Sequence, residues 1–548
     1  MDTRADFCAL LPPLPLPEEM RQWDADAAAL GLSPAMLMEN AGHAALDVLL
    51  GHCPDVEGAP VWLFMGSGNN GGDAACIARL LADRGAQPLL FHARPLADVG
   101  GASALHLSLA RANGVRTAPL AELEAAISGC LAAGGALPRI LVDGLLGTGF
   151  SGTLRPDMQA AIEQVNAFST RLPGCFVLAV DIPSGLDAVS GRPSPVAVRA
   201  HATVSLAAAK PGLVLPHAAP WVGTLHVGDI GMPAPVRRHV RHYLLDGHAL
   251  GALPAPAPEN YKNSFGHVLV IGGAPGLSGA AHLAAASALR TGAGLVSAAA
   301  PASALAAIKS GWPEIMTVGL GPEDAELWPG ELPENLLTAL GRATALAVGP
   351  GMGRGEDAAA FLAALLALPG RPPAVIDADA LILLARERSL FSRLTAADVL
   401  TPHPGEAAAL LATDTAHIQA DRPGALAALC GLSQAAVVLK GAGTLVGQAG
   451  APVFLSPYAV PALAMGGSGD VLAGCIAALL AGGQQGGAAL RAAAIGVALH
   501  ALAGRELGRA FPARGCRASE LADALPHVRA GLDPDSAGVW ERRLPWPA

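Results

Sequence analysis

Aromatic residues make up only 4% of this 548-residue chain and charged residues only 15%. The apolar share is nevertheless 52%, dominated by Ala, Leu and Val, so a large core is available without many rings. Basic clusters are missing and the formal net charge is −10, which argues against a nucleic-acid or anionic-membrane role. There is no CxxC pair or metal-like spacing among Cys8, Cys53, Cys76, Cys130, Cys175, Cys430, Cys475 and Cys516. Several sit in apolar runs, so reduced core residues in a reducing compartment are expected. No uninterrupted apolar span is long enough for a membrane helix, because the longest charge-free runs are broken by Pro301 or by Gly482-Gly483-Gln484-Gln485. The start of the chain, with Asp2, Arg4 and Asp6 before a proline-rich stretch, lacks an apolar signal core. The expected location is the cytoplasm.

What is abundant points elsewhere. The 66 glycines and 45 prolines are spread without a period, as in a loop-rich α/β enzyme rather than a fibre. The length suits two to four domains. Helices are expected from about residue 15 to 50, the second holding Glu39 and Asn40, with Glu39 on a solvated face. Val61–Met65 reads as a buried strand. It meets Gly66-Ser67-Gly68-Asn69-Asn70-Gly71-Gly72-Asp73, and a helix follows through Ala75, Ile77 and Leu80. Strand, glycine loop and helix open a doubly wound unit, and ligands bind at such junctions. Asn-Gly is also ordinary turn chemistry.

Further strands are expected at Leu89–Phe91, Ile140–Asp143, Val177–Asp181 and Thr203–Leu206. Three strand ends then carry Asn70, Asp143 and Asp181, which a parallel sheet gathers on one edge. With Ser184 they make an oxygen cage suited to a monovalent cation, although any one strand-end Asp can be a cap or turn former. Leu253–Pro258 is the clearest linker, placing a domain boundary near 245–255.

The alternation restarts at His267–Ile271, followed by a helix from Ser278 to Arg290. Strands at Ala345–Val348, Ala374–Ile376, Asp398–Leu400 and Val437–Leu439 lead into loops rich in Gly, Pro or polar groups. Lys440 with Gly441, Gly443 and Thr444 offers a cation, backbone N–H groups and a hydroxyl to a nucleotide phosphate, without a Walker A pattern. A snorkelling strand-end lysine is the plainer reading. His403 lies between two prolines, as a ligand-site or a surface-turn histidine. Gly466-Gly467-Ser468-Gly469-Asp470 runs into an apolar helix from Val471. Its glycines let backbone approach a ligand, and a helix start suits phosphate. A carboxylate there is repelled by phosphate unless it takes a proton from an attacking hydroxyl, which makes Asp470 the candidate base. An ordinary helix cap is the alternative. The halves share no residue-level repeat.

These motifs together resemble the bifunctional NAD(P)H-hydrate repair enzymes over nearly the whole chain. Residues 1–247, through Leu37–Gly42, Gly66–Asp73, Val142–Gly149 and Asp181–Asp187, resemble the NAD(P)HX epimerase domain, implying a Rossmann-like fold. Residues 248–548, through Gly349–Gly353, Thr401–Glu406, Lys440–Thr444 and Gly466–Asp470, resemble the ADP-dependent (S)-NAD(P)HX dehydratase, implying a ribokinase-like α/β fold.

In the first domain the resemblance implies that Asn69, Asn70, Gly71, Gly72 and Asp73, with Gly147, Thr148, Gly149, Phe150, Ser151, Gly152 and Thr153, bind the hydrated nucleotide. Asn70, Asp143 and Ser184 would hold potassium, and Asp181 would contact substrate and transfer a proton. In the second domain Lys440, Gly441, Ala442, Gly443, Thr444 and Gly469 would contact ADP. Ala280, Gly351, Gly353, His403 and Asp470 would line the hydrate site, with Asp470 catalytic. Ala74 departs from the family's usual Gly. Magnesium is expected with ADP, although no motif marks its ligands. NADHX and NADPHX are the expected substrates, with no nucleic-acid or membrane partner, in a homo-oligomer. The rival reading is a ribokinase-like small-molecule kinase fused to a non-catalytic ligand-binding domain.

Overall fold

The computed structural model describes residues 7–132, 137–150, 152–172, 174–237, 240–253, 257–483, 488–511 and 514–530. Residues 254–256 of the expected linker and Ser151 of the expected substrate loop therefore lie outside the described residues. Two compact units separate between His242 and Tyr243, with the segment up to Pro12 belonging to the second. No helix of the described residues is long and apolar enough to cross a membrane.

The first unit holds β1 (Pro60–Met65), β2 (Gln87–His92), β3 (Arg116–Pro119), β4 (Ile140–Gly144), β5 (Phe176–Val180), β6 (Ala202–Leu206) and β7 (Thr224–Gly228). Their order is β3-β2-β1-β4-β5-β6-β7 and every pairing is parallel, as the Rossmann-like expectation requires. Strands β1, β4, β5 and β6 are almost wholly buried, since helices cover both faces, so they read as continuous apolar runs. Aromatic rings pack against this sheet: Trp62 stacks on Phe168 at 5.1 Å and meets Phe91 edge-on at 5.2 Å. The order reverses between β1 and β4, where Phe64 is in register with Asp143. That reversal opens a crevice at the carboxyl ends of the strands.

The second sheet is built from β8 (His242–Leu244), β9 (His267–Ile271), β10 (Leu295–Pro301), β11 (Met316–Leu320), β12 (Ala345–Val348), β13 (Ala374–Ile376), β14 (Val399–Leu400), β15 (Ala436–Leu439), β16 (Leu445–Gly447) and β17 (Val453–Leu455). The order is β11-β10-β9-β12-β13-β14-β15-β16-β17-β8. Pairing is parallel from β11 to β15, and β16 and β17 add an antiparallel hairpin. The switch here lies between β9 and β12. The Ala/Gly-rich composition is explained by close helix packing. A Cβ on Gly474, inside the helix Ser468–Ala481, would lie 2.0 Å from the Ala284 carbonyl oxygen on the helix Ser278–Thr291.

Candidate functional sites

The crevice beside β1 is lined by a helix start rather than a free loop. The helix covers Asn69–Ala82, so Asn69, Asn70, Gly71, Gly72 and Asp73 form its first turns, several residues earlier than the sequence suggested. Its N-cap is Gly68, without a side-chain cap, which is why no Ser, Thr or Asp announced it. Asn69 faces solvent, whereas Asn70, Gly71, Gly72 and Asp73 are buried. The glycines here serve packing: a Cβ on Gly71 would lie 2.0 Å from the Gly66 oxygen, and one on Gly72 2.5 Å from both Met38 Sδ and Ser103 Oγ. Ala74 is fully buried, and its Cβ is 2.7 Å from where one on Gly144 would lie.

Asp181 follows β5 directly and has a left-handed backbone, φ 62°. Its Oδ2 accepts from the Thr148 N–H at 3.4 Å and its Oδ1 from the Leu206 N–H at 3.3 Å. Oδ1 also accepts from the Lys210 ammonium. Lys210 is completely buried and donates further to Ser205 Oγ and the Leu206 carbonyl, both at 3.1 Å. Gly147 lies between Asn70 and Asp181: its hypothetical Cβ would be 3.2 Å from Asn70 Cβ and 3.6 Å from Asp181 Oδ2. Asn70, Gly147, Thr148 and Asp181 are thus one group. Phe150 turns back onto the core, Gly149 and Thr153 are exposed, and the exposed Gly152 accepts from Ser194 Oγ at 2.7 Å.

Burial, then the charges of Asp181 and Asp24, hold the Asp73 carboxyl well above the usual range, with Lys210 acting the other way. Asp24 is also raised, by partial burial and by Asp181. Sequence reading passed over Lys210 and Asp24; only Lys210, just past β6, carried a strand-end signal.

The expected potassium ligands also meet. Asp143, fully buried in β4, accepts from Ser184 Oγ at 2.6 Å, the Ser184 N–H at 2.8 Å and the Leu145 N–H at 3.2 Å. Burial nevertheless lifts its pKa to about 6. Asn70 Nδ2 donates to the Leu146 carbonyl at 2.8 Å, and Ser184 Oγ reaches the same carbonyl at 3.2 Å. Asn70 Oδ1 is buried without a hydrogen-bond partner. An orphan oxygen beside an underneutralised carboxylate is a donor set that fits a monovalent cation.

Glu39 is not a solvated face. Its Oε1 takes the Arg79 guanidinium at 2.5 Å, and its Oε2 lies 3.6 Å from His106 Nδ1 and 3.7 Å from Cys76 Sγ. The ion pair already neutralises this carboxylate, so the cluster ties three helices together.

In the second unit the helix Ser468–Ala481 begins at Ser468, so Gly469 and Asp470 belong to its first turn. Gly467 has φ 88°, and a Cβ there would strike Leu283 Cδ1 at 2.6 Å, so this glycine answers to the protein. Gly466 has open space around it, and Gly469 points its missing side chain at Lys440 Nζ, 3.3 Å away. Lys440 Nζ pairs with Asp377 Oδ1 at 2.7 Å and lies 3.8 Å from Glu406 Oε2. Burial pulls the ammonium down, but Asp377, Glu406 and Asp470 more than offset this and raise it. Asp470 is lifted to about 7 by burial and by Asp377 and Asp379, against Lys440. Glu406 is lifted to about 7, chiefly by burial.

His403 caps the helix Pro404–Leu411: its Nδ1 accepts from the N–H groups of Gly405 at 3.0 Å and Glu406 at 3.2 Å, and Glu406 Oε2 accepts from the His403 N–H at 2.7 Å. Burial and Lys440 depress its pKa, so the ring is neutral near pH 7. Gly351 lies against Leu277 and Ala280, its hypothetical Cβ 3.1 Å from Ala280 Cβ. The Gly353 N–H donates to Asp379 Oδ2 at 2.9 Å. Gly441 and Ala442 are exposed, Gly443 is buried, and Thr444 Oγ1 donates to the Gly441 carbonyl at 2.8 Å.

Two groups that sequence reading missed hold this site in shape. Arg422 donates to the carbonyls of Leu439 at 3.0 Å, Gly443 at 3.2 Å and Lys440 at 3.3 Å, engaging the oxygens of the lysine loop. Buried His500, lowered to about 4 by burial, contacts the Ser468 carbonyl at 2.9 Å. Neither sits in a motif; only tertiary packing delivers them.

The two halves match separate family models. Residues 34–212 match the YjeF-related protein N-terminus and residues 268–527 match NAD(P)H-hydrate dehydratase. A bifunctional NAD(P)H-hydrate repair enzyme from Moorella thermoacetica is 36% identical over 523 residues, covering 94% of this chain and 96% of that protein. One from Coxiella burnetii is 34% identical over 519 residues, covering 94% and 98%. A crystal structure of the ADP/ATP-dependent NAD(P)H-hydrate dehydratase of Bacillus subtilis, co-crystallised with ATP and magnesium, is 25% identical, with a TM-score of 0.42 over 52% of this chain and 96% of that one.

Proposed function

We propose a division of labour from the premise that this chain belongs to the bifunctional NAD(P)H-hydrate repair enzymes. It is an isomerase and a hydro-lyase in one polypeptide. We take the first unit, Pro13–His242, as the epimerase domain, which interconverts R and S NAD(P)HX, in place of the expected 1–247. We take the second, from Tyr243 onward, as the dehydratase domain, which returns the S form to NAD(P)H at the expense of ADP.

In the first domain Asp181 is the proton-transfer residue. The C6 hydroxyl loses its proton as the C6–N1 bond opens, and reclosure on the other face gives the second epimer. Asn70, Gly147 and Thr148 surround the same carboxylate and orient the nucleotide. Asn70, Asp143 and Ser184 would hold potassium, which when bound would supply a fixed positive charge beside Asp143.

In the second domain Asp470 takes the C6 hydroxyl proton while the oxygen attacks the terminal phosphorus of ADP and AMP departs. The phosphate then leaves C6 with its electron pair, and a proton leaves C5, restoring the dihydronicotinamide. Hydroxide leaves poorly and phosphate leaves well, which is the reason for using a nucleotide. Lys440 and the N–H groups at the start of the helix Ser468–Ala481 offset the charge that develops. His403, Ala280, Gly351 and Gly353 shape the hydrate side. Magnesium travels with ADP and is assigned no protein ligand. The carrying observation is the placement of Asp470 in the first turn of the helix Ser468–Ala481, next to Gly469, whose missing side chain points at Lys440 Nζ. The eight free thiols support a reducing, cytoplasmic location.

The test is an R and S NADPHX mixture with ADP, magnesium and potassium, followed by absorbance of restored dihydronicotinamide. Consumption of both epimers with release of AMP and phosphate supports the reading. A stable phosphorylated alcohol in their place supports the kinase reading.

A further inference from the structure

We infer that Lys210 is a positioning residue of the epimerase reaction, holding the Asp181 carboxyl by Oδ1 so that Oδ2 is left to the substrate. This rests on the reading of Asp181 as the proton-transfer residue.

A lysine with no exposed surface is costly unless it is paired and its donors are used. All three donors of Lys210 are used, on Asp181 Oδ1, Ser205 Oγ and the Leu206 carbonyl. These contacts have a direction. They occupy Oδ1, together with the Leu206 N–H, and leave Oδ2 on the side of Thr148 and Gly147, where residues expected to bind substrate converge. Asp181 itself has a left-handed backbone, φ 62°.

Asp73, on the helix Asn69–Ala82, and the exposed Asp24, on the helix Pro17–Ala29, also face this ammonium, and Asp143, on the adjacent strand, is engaged by Ser184. Asp181 holds the direct hydrogen bond to Lys210. In the forward step Asp181 Oδ2 accepts the C6 hydroxyl proton, the C6–N1 bond breaks toward nitrogen, and the same carboxyl delivers that proton to N1. After rotation about C5–C6 the same transfers run backward on the opposite face, so nothing is consumed.

The experiment uses the full-length chain with purified R-NADPHX, potassium and no ADP, reading R to S conversion by chromatography from pH 5.5 to 9. Binding of NADPHX by calorimetry reports an intact first domain. Lys210→Met should lower kcat by roughly 10²-fold at pH 7, with KM little changed, because a mispositioned base fails in the transition state. Its acid limb should move upward, because Asp181 without the ammonium binds its proton more tightly. Lys210→Arg keeps the charge, so the limb should stay in place while kcat still falls. Should Lys210→Met fail to bind NADPHX, the Arg variant decides alone: wild-type kcat overturns the inference. A Met variant that binds substrate and keeps both kcat and the wild-type limb also overturns it. Asp181→Asn with normal epimerisation would instead remove the underlying reading of Asp181, which separates the two failures.

Discussion

The two sites use the same pieces, carboxylates around a lysine beside a helix start, in opposite states of enclosure. In the first, Lys210, Asp181, Asp73 and Asp143 are buried, and the places a Cβ would take on Gly66, Gly71, Gly72 and Gly144 are filled by the protein's own atoms. In the second, Asp470 is only partly buried, Gly466 has open space, and Gly441 and Ala442 are exposed. The difference follows the chemistry. Epimerisation moves protons within one substrate and gains from a dry, fixed field. Phosphoryl transfer must admit a second, highly charged molecule, so its glycine loops stay open and its lysine stays near the surface.

The largest expected effects separate the sites. Asp470→Asn should lower dehydration of S-NADPHX by about 10³-fold or more while R and S still interconvert. The measurement is NADPH formation against epimer ratio in one reaction, and equal loss of both activities would break the comparison. The glycine contrast comes next. Gly66→Ala would put a Cβ 1.9 Å from the Leu145 oxygen, so it should cost about 3 kcal/mol or more in chemical denaturation. Gly466→Ala meets nothing, so stability should hold, and any loss should appear in KM for ADP. A smaller effect is expected for Arg422→Met. Losing three carbonyl contacts loosens the lysine loop, and KM for ADP should rise roughly tenfold with a lesser change in kcat.

The gentlest prediction concerns pH. Asp143 has a folded pKa of about 6, above its ordinary value of 3.8, so the fold binds its proton more tightly than the unfolded chain does. The stability this contributes is present below pH 4 and is lost as pH rises through about 6. A cation on the ionised site restores it. Potassium, compared with an equal concentration of tetramethylammonium, should therefore raise Tm by a few degrees at pH 8 and by less at pH 5. Equal shifts at both pH values would remove Asp143 from the cation site.

Much of this was legible in the sequence because parallel strands buried on both faces are unbroken apolar runs. Val61–Met65, Ile140–Asp143 and His267–Ile271 all lie in observed strands. The edge strands β3 and β11 were missed: they are largely half-buried or exposed, so apolar runs do not mark them. The helix start at Asn69 was misplaced because a glycine caps it. Asp143, Ser184, Asn70 and Asp181 could be nominated from strand ends, since topology alone brings those together. Lys210 follows a strand as well but was passed over, and Arg422 and Asp24 could not be nominated, because what marks them is partners distant in sequence. Lys210 finds Asp181 29 residues away, and Arg422 finds the loop that follows β15.

The most direct test of two separable sites in one chain is complementation. Asp181→Asn and Asp470→Asn chains are each given the R and S mixture with ADP, magnesium and potassium, then combined. The first alone should consume S and leave R beyond spontaneous epimerisation, and the second alone should restore no NADPH. Together they should consume both epimers. A combination that still leaves R behind would contradict the assignment of each carboxylate to its own reaction.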